Sequence, residues 1–244
     1  MTRIVVAGAS GWVGRELVKA VAAASDLSLA GAVSRSAAGK DAGEVAGGSA
    51  LNVAVSASLA EALATPSEVV VDYTKPHVVK GHTLEALAAG RHVVIGTSGL
   101  AADDYAEIDA AARAAGRGVI AAGNFSITAS LLKRFATMAA KHVPDVEIID
   151  YASAKKKPVG ELGGIRETRG GAVNAGGIAV QVHSVRMPSF VLSAEAIFGL
   201  PDERLTIRHD AGSSAAPYVG GTLLAARRVA DVVGLVRGID HLLD

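Results

Sequence analysis

The chain has 244 residues, half of them hydrophobic, with 24 basic and 24 acidic side chains. This length allows one large domain or two small ones around a sizeable apolar core, and the composition excludes a disordered chain, a collagen and a coiled coil. A net charge of zero provides no overall field for a polyanion, so neither nucleic acid nor a membrane is predicted as a partner.

The absence of cysteine limits the chemistry. It excludes a disulfide, a thiolate nucleophile and a thiolate metal site, and the scattered histidines show no ligand spacing, so no metal site is predicted. No stretch approaches the roughly 18–20 consecutive apolar residues of a membrane span, and the first residues enter a strand pattern without signal-peptide design. The sequence therefore predicts a cytoplasmic protein whose chemistry depends on other side chains or on an organic cofactor.

Short β-branched runs alternate with alanine-rich amphipathic stretches in the first half of the chain. This alternation predicts a Rossmann-type α/β domain, a doubly wound parallel sheet with helices on both faces. The predicted strands are Ile4–Ala7, Leu27–Val33, Val69–Asp72, His92–Ile95 and Gly118–Ala121. The predicted helices are Gly14–Ala24, Leu59–Ala64, Val78–Ala88 and Asp103–Ala115.

The pattern changes after Asn124 and predicts a C-terminal α+β domain with an open mixed sheet. The predicted elements are a helix over Ile127–Lys141, strands over Val146–Tyr151, Ile178–Val185, Phe190–Phe198 and Leu205–His209, and a helix over Pro217–Val233. A glycine- and lysine-rich loop is predicted over Ala154–Gly177. Residues 1–124 are expected to bind a dinucleotide and residues 125–216 to bind substrate and form oligomer contacts, while the final helical segment, 217–244, packs back on the first domain.

A glycine-rich turn, Gly8-Ala9-Ser10-Gly11-Trp12-Val13-Gly14, follows the first strand and opens the first helix. Glycines in this context let backbone amides approach a pyrophosphate at a helix N-terminus. The turn therefore predicts cofactor binding by Gly8, Ala9, Ser10, Gly11, Trp12 and Val13. The alternative is a tight strand-to-helix turn that is rich in glycine without binding a ligand.

The second strand ends in Val33-Ser34-Arg35-Ser36, followed closely by Lys40. A site that prefers NAD usually places an acid here to bind the ribose hydroxyls, and that acid is missing. Arginine offers a planar fork of donors to phosphate oxygens, so Arg35 is predicted to bind the 2′-phosphate of NADPH. NADH stays possible, since Arg35 is alternatively a solvated loop residue.

Three later segments occupy the carboxyl ends of strands, where ligands bind in such folds. They are Asp72-Tyr73-Thr74-Lys75-Pro76, Gly96-Thr97-Ser98-Gly99 and Gly123-Asn124-Phe125-Ser126. Taken alone, the first is equally well explained as a proline-terminated turn. The predicted cofactor contacts are Thr74, Gly96, Thr97, Ser98, Ala122, Gly123, Asn124 and Phe125.

Read in order, the segments GASGWVG, DYTKP, GTSG and GNFS resemble the motifs of the dihydrodipicolinate reductase (4-hydroxy-tetrahydrodipicolinate reductase) family. His183-Ser184-Val185-Arg186 resembles that family's H-S-V-R strand, and the resemblance covers nearly the whole chain. It implies an NAD(P)H-dependent reductase of lysine and diaminopimelate biosynthesis that transfers hydride to an unsaturated cyclic imine carboxylate. It also implies a nicotinamide between the GTSG and GNFS turns, and a homo-oligomer, usually a tetramer.

The chain departs from the family in the catalytic region. Family members have H-H-x-x-K followed by an S-G-T turn, and their His and Lys are assigned to proton donation and carboxylate binding. Here the stretch reads Ala152-Ser153-Ala154-Lys155-Lys156, so Lys156 falls on a family catalytic position, both His are missing and the S-G-T turn is absent.

Reduction by hydride also requires a proton, and a positioned donor raises the rate about 100- to 10,000-fold. Lys156 is the first candidate, because repulsion from the lysines beside it is expected to lower its pKa. Tyr151 is the second, because Tyr151 and Lys155 reproduce the Y-x-x-x-K spacing of short-chain dehydrogenases. That spacing needs a helix, whereas a strand running into a loop is predicted here, so an accidental match is the favoured interpretation. The lysines are alternatively a solvated basic loop.

Four residues are predicted to bind the carboxylate of a small-molecule substrate: Lys155, Lys156, Arg186 and His183. Residues three apart on a strand face opposite sides of the sheet, so one of His183 and Arg186 is expected to face the site, and Arg186 is favoured for its bidentate geometry.

Four hypotheses result. In the first, the chain carries out the family's reaction. In the second, it reduces a different imine or a carbonyl on the same scaffold, and in the third it binds NADPH without catalysis. A short-chain dehydrogenase is the fourth, and Pro158, Gly160 and Gly163 argue against it because they interrupt the helix it needs.

Overall fold

The computed structural model of the chain describes residues 1–154, 172–175 and 178–243. The chain divides into two compact units, one of Met1–Ile127 with Ala215–Asp244 and one of Thr128–Ser214. Lys155 and Lys156, predicted as catalytic and substrate-binding residues, lie outside the described residues.

The first unit is built on a sheet of seven strands, all paired in parallel. The strands are β1 (Thr2–Ala7), β2 (Leu27–Val33), β3 (Val55–Ser56), β4 (Val69–Asp72), β5 (His92–Ile95), β6 (Gly118–Ala121) and β12 (Gly234–Arg237), in the spatial order β12-β6-β5-β4-β1-β2-β3. The helices are α1 (Trp12–Ala23), α2 (Ala42–Ala46), α3 (Leu59–Leu63), α4 (Pro76–Ala88), α5 (Ala102–Ala115) and α7 (Ala216–Arg228). The predicted doubly wound domain is confirmed.

Helices cover both faces of this sheet, and that coverage explains its continuous apolar strands. Residues 4–7 of β1 are fully buried. One apolar layer joins the sheet to α1 and α7, and a second layer joins its other face to α3, α4 and α5. Arg227 of α7 donates two hydrogen bonds to Asp26, from Nε at 2.6 Å and from a terminal nitrogen at 2.9 Å, and so fixes the C-terminal helix beside the start of β2.

The second unit contains a five-stranded mixed sheet. Its elements are α6 (Ile127–Ala139), β7 (Val146–Ala152), β8 (Ala172–Ala175), β9 (Ile178–Arg186), β10 (Leu192–Leu200) and β11 (Glu203–Ala211), with the strands in the order β11-β10-β7-β9-β8. β7 pairs with β9 in parallel and with β10 antiparallel. Ala152, Val182, Ala196 and Phe198 are buried in this unit. The predicted α+β domain with an open mixed sheet is confirmed.

The sequence-based prediction needs correction at two short strands. β8 lies inside the loop predicted over Ala154–Gly177. The helix predicted over Pro217–Val233 ends at Arg228 and is followed by one turn of 3-10 helix and by β12, which pairs with β6 at the edge of the sheet. Four-residue strands at an edge depend on their neighbour for stability, and local sequence does not show that neighbour.

Helix α4 begins two residues before its predicted start. Pro76 occupies its first turn, where the missing proline N–H costs no intrahelical hydrogen bond. Among the helices of the described residues, none combines the length and hydropathy needed to cross a membrane.

Candidate cofactor site and active site

The glycine-rich turn has a backbone conformation that residues with a side chain would not allow at Gly8. Gly8 has a φ of +86°, and a Cβ at this position would lie 2.6 Å from the carbonyl oxygen of Tyr73. Helix α1 starts at Trp12 with Gly11 as its N-cap, and no side chain caps it. Its first-turn N–H groups therefore lack intrahelical partners and form a binding site for an anionic group.

A cavity of about 680 Å³ lies beside this turn. It is lined by Gly8, Ser10 and Gly11 of the turn, by Val33–Ser36 at the end of β2 and by Tyr73–Lys75 after β4. Small-molecule and cofactor sites usually have about 300–1,000 Å³. The cavity thus brings together three of the segments that the sequence singles out, at the carboxyl ends of adjacent strands.

Serine hydroxyls line the cavity where an NAD-binding site would have an acid. The hydroxyl oxygen of Ser34 lies 2.6 Å from that of Ser10 and 3.3 Å from that of Ser36. Arg35 is exposed at this edge of the cavity, and its guanidinium has no ion pair within residues 1–154, 172–175 and 178–243. This edge carries hydroxyls and a positive charge in place of a carboxylate.

Asp72, at the end of β4, is a fully buried carboxylate. One of its oxygens accepts hydrogen bonds from the Thr74 N–H at 2.8 Å and the Thr74 hydroxyl at 2.6 Å. The other oxygen lies 2.8 Å from Nδ1 of His82 on α4, and His82 also lines the cavity. Asp72 therefore fixes both the backbone of the DYTKP turn and the imidazole.

Tyr73 joins the DYTKP turn to the two later turns. Its hydroxyl lies 2.7 Å from that of Thr222 on α7, and burial raises the pKa of this phenol. A Cβ at Gly96 would lie 2.1 Å from the Tyr73 ring, so glycine is needed there, and the ring centroid of Phe125 lies 6.2 Å from that of Tyr73. Tyr73 thus packs against both the GTSG and the GNFS turns.

The predicted cofactor residues divide into two groups. Gly8, Ser10, Gly11, Arg35 and Thr74 line the cavity. Gly96, Thr97 and Ser98 after β5, together with Ala122, Gly123, Asn124 and Phe125 after β6, follow strands of the same sheet but do not line the cavity. Ala9 is buried, Val13 is half-buried, and Trp12 is 57% exposed, with its ring 5.7 Å from that of Tyr218.

Tyr151, the second candidate proton donor, lies on β7. Its hydroxyl donates to Glu195 at 3.0 Å, and the Arg208 guanidinium lies 4.8 Å from the centroid of its ring. Burial and the Glu195 carboxylate raise the pKa of this phenol. A Y-x-x-x-K tyrosine needs a lowered pKa and a helix that continues to the lysine, and neither condition is met in the described part of this segment.

The two carboxylate-binding candidates on β9 already contact acidic side chains. Arg186 donates to a carboxylate oxygen of Asp150 at 2.5 Å and to the Asp150 carbonyl at 2.9 Å. Nε2 of His183 lies 2.7 Å from a carboxylate oxygen of Glu147. The register with β7 places Arg186 opposite Ala152 and His183 opposite Ile149, so the two side chains lie on opposite faces of the sheet.

Ala152 and Ser153 occupy the positions at which the family pattern has its histidines. Ala152 is fully buried, and its carbonyl accepts a hydrogen bond from the Met187 N–H. Sequence reasoning singled out the segment that begins at Asp72 but missed the pairing of Asp72 with His82. A signal existed, because a histidine ten residues after a strand-end aspartate falls on the helix that follows the strand.

Comparison with known proteins identifies both halves of the chain. Residues 2–125 match the family described as dihydrodipicolinate reductase, N-terminus, and residues 127–243 match dihydrodipicolinate reductase, C-terminus. A 4-hydroxy-tetrahydrodipicolinate reductase of Synechococcus elongatus is 37% identical, with 98% of each chain covered, and one of Desulfitobacterium hafniense is 35% identical, with 99% of this chain and 98% of the relative covered. The first alignment is 268 positions long although this chain has 244 residues, so the relative has residues without a counterpart here.

Solved structures agree with this assignment. A dipicolinate-bound dihydrodipicolinate reductase from a Paenisporosarcina species superposes with a TM-score of 0.80 at 25% identity, with all of both chains covered. An amine dehydrogenase from Mycobacterium smegmatis superposes with a TM-score of 0.67 at 15% identity, covering 96% of this chain and 94% of the other, and shares the fold. This chain therefore belongs to the dihydrodipicolinate reductase family, whose members are NAD(P)H-dependent oxidoreductases.

Proposed function

We propose that this chain is an NADPH-dependent reductase of lysine and diaminopimelate biosynthesis that acts on an unsaturated cyclic imine carboxylate of the dihydrodipicolinate type. The observation that carries the proposal is the cavity at the glycine-rich turn, in a chain that matches the family over both halves. A bound reduced nicotinamide would supply the hydride.

The described residues fit a dinucleotide. The uncapped start of α1 offers N–H groups to a pyrophosphate, and the absence of side chains at Gly8 and Gly11 leaves the backbone open to it. We assign the pyrophosphate to this turn and the nicotinamide to the neighbourhood of Gly96–Ser98 and Ala122–Phe125. The packing of Tyr73 beside both turns supports that neighbourhood.

We assign the preference for NADPH to the edge of the cavity at the end of β2. The Arg35 guanidinium suits a phosphate, and Ser34 can donate a hydrogen bond to a phosphate oxygen where an acid would repel it. A ribose hydroxyl, in contrast, gains most from a carboxylate at this position.

On the substrate side, we propose that the second unit binds a carboxylate and donates a proton. The dipicolinate held by the Paenisporosarcina enzyme is a dicarboxylate, and basic residues are the matching ligands. Reduction of the unsaturated bond leaves an atom that must gain a proton, and we assign this donation to Lys156. Lys155, Arg186 and His183 are the further candidates for carboxylate binding.

One observation favours a second candidate function, reduction of a different imine on the same scaffold. Ala152 is fully buried where the family pattern has a histidine, so no side chain at this position can donate a proton. A paralogue with its anionic groups placed differently would not need the histidine pair.

We further propose a cytoplasmic homo-oligomer, with a tetramer as the expected form, assembled through the second unit. β11 and β8 are the outer strands of the five-stranded sheet of this unit. Leu200 and Leu205 are large apolar side chains that are exposed at β10 and β11. Contact between copies would cover them.

The test of the proposed function is NADPH oxidation, followed by absorbance, with the dihydrodipicolinate precursor generated in the same cuvette. A dihydrodipicolinate reductase that has the histidine pair is the positive control. Turnover near that of the control is the expected result. A folded, NADPH-binding protein without turnover would instead support the second candidate function.

A further inference from the structure

Two hydroxyl groups connect the turn after β4 to helix α7. The hydroxyl oxygens of Tyr73 and Thr222 lie 2.7 Å apart, and the Thr222 hydroxyl donates to the Tyr218 carbonyl at 2.7 Å. Burial raises the pKa of Tyr73, so the phenol keeps its proton at neutral pH. A threonine hydroxyl has one proton, and Thr222 gives it to a carbonyl, so Tyr73 is the donor between the two hydroxyls. The hydrogen bonds therefore run in one direction, from Tyr73 through Thr222 to the backbone of α7.

Helix α7 depends on tertiary contacts more than most helices do. Its N-cap residue, Ala215, makes no side-chain cap bond, and Gly220 and Gly221 stand side by side within the helix. A helix is weakened both by glycine in its interior and by the lack of a capping side chain. Contacts with the rest of the first unit must therefore fix the position of α7, and the bond from Tyr73 to the fully buried Thr222 is one of them.

Two further contacts place α7 against the segments that surround the cofactor site. A Cβ at Gly221 would lie 2.0 Å from the carbonyl oxygen of Phe125, so the backbone of α7 packs directly on the GNFS turn. The Tyr218 ring packs edge-on against Trp12, with the ring centroids 5.7 Å apart, at the start of α1. A shift of α7 would therefore be transmitted to the backbone of the GNFS turn.

We infer that Tyr73 is a positioning residue for hydride transfer, whose hydroxyl acts through Thr222 and α7. The Tyr73 ring lies against the GTSG turn, where a Cβ at Gly96 would be 2.1 Å from it, and the Tyr73 hydroxyl holds the helix on which the GNFS turn packs. The Tyr73–Thr222 pair thus sets the spacing between the two turns. The inference rests on the proposed function, which assigns the nicotinamide to the neighbourhood of these turns.

Loss of the pair has different effects on the two halves of the cofactor. Hydride transfer requires exact placement of the nicotinamide, and a misplacement of about 1 Å can cost about 100-fold in rate. The pyrophosphate, in contrast, is assigned to the glycine-rich turn, where backbone N–H groups bind it without help from Thr222. Removal of the pair therefore slows hydride transfer and reduces the affinity that the nicotinamide contributes, while the rest of the nucleotide binds as before.

The test compares wild type with Tyr73→Phe, Thr222→Val and the double variant. The measurements are kcat with NADPH and the dihydrodipicolinate precursor, and Kd for NADPH and for 2′-phospho-ADP-ribose, which is the same nucleotide without the nicotinamide. We expect kcat to fall about tenfold in each variant. The Kd of 2′-phospho-ADP-ribose stays within about twofold, whereas the Kd of NADPH rises about threefold or more. The double variant is no worse than the single ones, because each removes the same link.

Urea unfolding separates positioning from a structural role. Thr222→Val leaves the buried Tyr73 phenol without an acceptor, so this variant should have the lowest urea midpoint. The double variant leaves neither hydroxyl without its partner, and its midpoint returns close to that of wild type. A positioning role keeps kcat low in this stable double variant, whereas a structural role restores kcat together with the midpoint. Thr222→Ser keeps the hydroxyl and should retain nearly the kcat and Kd values of wild type.

Two matched controls come from the same unit. The Thr83 hydroxyl on α4 is fully buried and donates to the Val79 carbonyl at 2.8 Å, which is the bond that Thr222 makes to Tyr218. Thr83→Val removes it without affecting Tyr73. Tyr105→Phe removes a phenol hydroxyl from α5. Both controls leave kcat and both Kd values unchanged.

The outcomes separate this inference from the proposed function. Wild type without turnover, in which NADPH binds more tightly than 2′-phospho-ADP-ribose and loses that advantage in Tyr73→Phe and the double variant, would overturn the proposed substrate and retain the role of Tyr73. Equal affinity of wild type for the two nucleotides would overturn the inference, because the nicotinamide would then contribute nothing to binding. Wild-type kcat and Kd values in Tyr73→Phe, or their recovery in the double variant, would overturn the inference and leave the proposed function in place.

Discussion

Nδ1 of His82 lies 2.8 Å from a carboxylate oxygen of Asp72. His82 lies in the middle of α4, and its imidazole lines the cofactor cavity. Asp72 is fully buried and ends β4, so its carboxylate is fixed by the strand. The same carboxylate holds the Thr74 N–H and hydroxyl. One buried acid thus links the turn after β4 to a side chain in the cofactor cavity.

Replacing Asp72 should affect both stability and cofactor binding. In Asp72→Ala, the partly buried Thr74 N–H and His82 ring lose their acceptor, and a lost hydrogen bond of this kind costs about 1 kcal/mol. We expect a lower free energy of unfolding in urea and weaker NADPH binding. Trp12 is the only tryptophan in the chain and is exposed at the start of α1, so its fluorescence can report binding.

His82→Ala is the matched variant for this pair. It removes the imidazole but leaves Asp72 with both contacts from Thr74, so we expect a smaller loss of stability with a clear loss of NADPH affinity. Equal losses of stability in the two variants, with NADPH affinity unchanged in His82→Ala, would show that the pair is structural and does not position the ligand.

Most of the cofactor half was predictable from sequence because its signals are local. The turn needs glycine at Gly8 and Gly14 because a Cβ at either position would clash with backbone atoms. The alternation of strand and helix patterns predicts which ends of the strands meet. The link between Asp72 and His82 was missed, since it depends on how α4 packs on the sheet. Lys40 was noticed only as a neighbour of Arg35, although it lines a small cavity together with Arg15 of α1 and Glu44 of α2.

The second unit was less predictable. β7 and β9 pair in parallel although β8 lies between them in the chain, and no local pattern encodes that pairing. The Tyr151 and Lys155 spacing suggested a catalytic pair, but the strand directs the Tyr151 hydroxyl to Glu195. Arg186 and His183 were correctly expected on opposite faces, whereas their acidic partners come from β7, a non-adjacent segment of the sequence.

Arg35→Asp should reverse the cofactor preference. The new carboxylate repels a 2′-phosphate and can accept hydrogen bonds from ribose hydroxyls, so we expect KM for NADPH to rise at least about tenfold and KM for NADH to fall. The measurement is steady-state kinetics with each cofactor. Lys141→Asp, the same change of charge on an exposed side chain of the second unit, is the control and should leave the ratio of the two KM values unchanged.

His92 makes stability depend on pH. Its Nδ1 accepts a hydrogen bond from the Gly118 N–H at 2.9 Å, which requires a neutral ring, and burial followed by the charge of Arg117 lowers the pKa of this imidazole. The pKa of His92 in the folded chain is therefore below the unfolded value of about 6.5. The stability that His92 contributes is fully present above about pH 6.5 and is lost as pH falls through the folded pKa.

The free energy of unfolding should therefore decrease as pH falls below about 6.5, because the unfolded chain binds a proton at this site before the folded chain does. His92→Gln, whose side-chain oxygen can accept from Gly118, should show a flatter profile in this range. The comparison is made by urea unfolding at successive pH values. Parallel profiles for wild type and variant would contradict the role of His92.

Lys156→Ala should lower kcat at least about tenfold if Lys156 donates the proton, because a positioned general acid contributes about 100- to 10,000-fold. Lys155→Ala removes the same charge one residue earlier and should raise KM for the substrate with a smaller effect on kcat. Tyr151→Phe should retain near wild-type turnover, since the Tyr151 hydroxyl donates to Glu195 and its pKa is raised. Full activity in Lys156→Ala together with a large loss in Tyr151→Phe would transfer proton donation to the tyrosine. Full activity in all three variants would assign it to water.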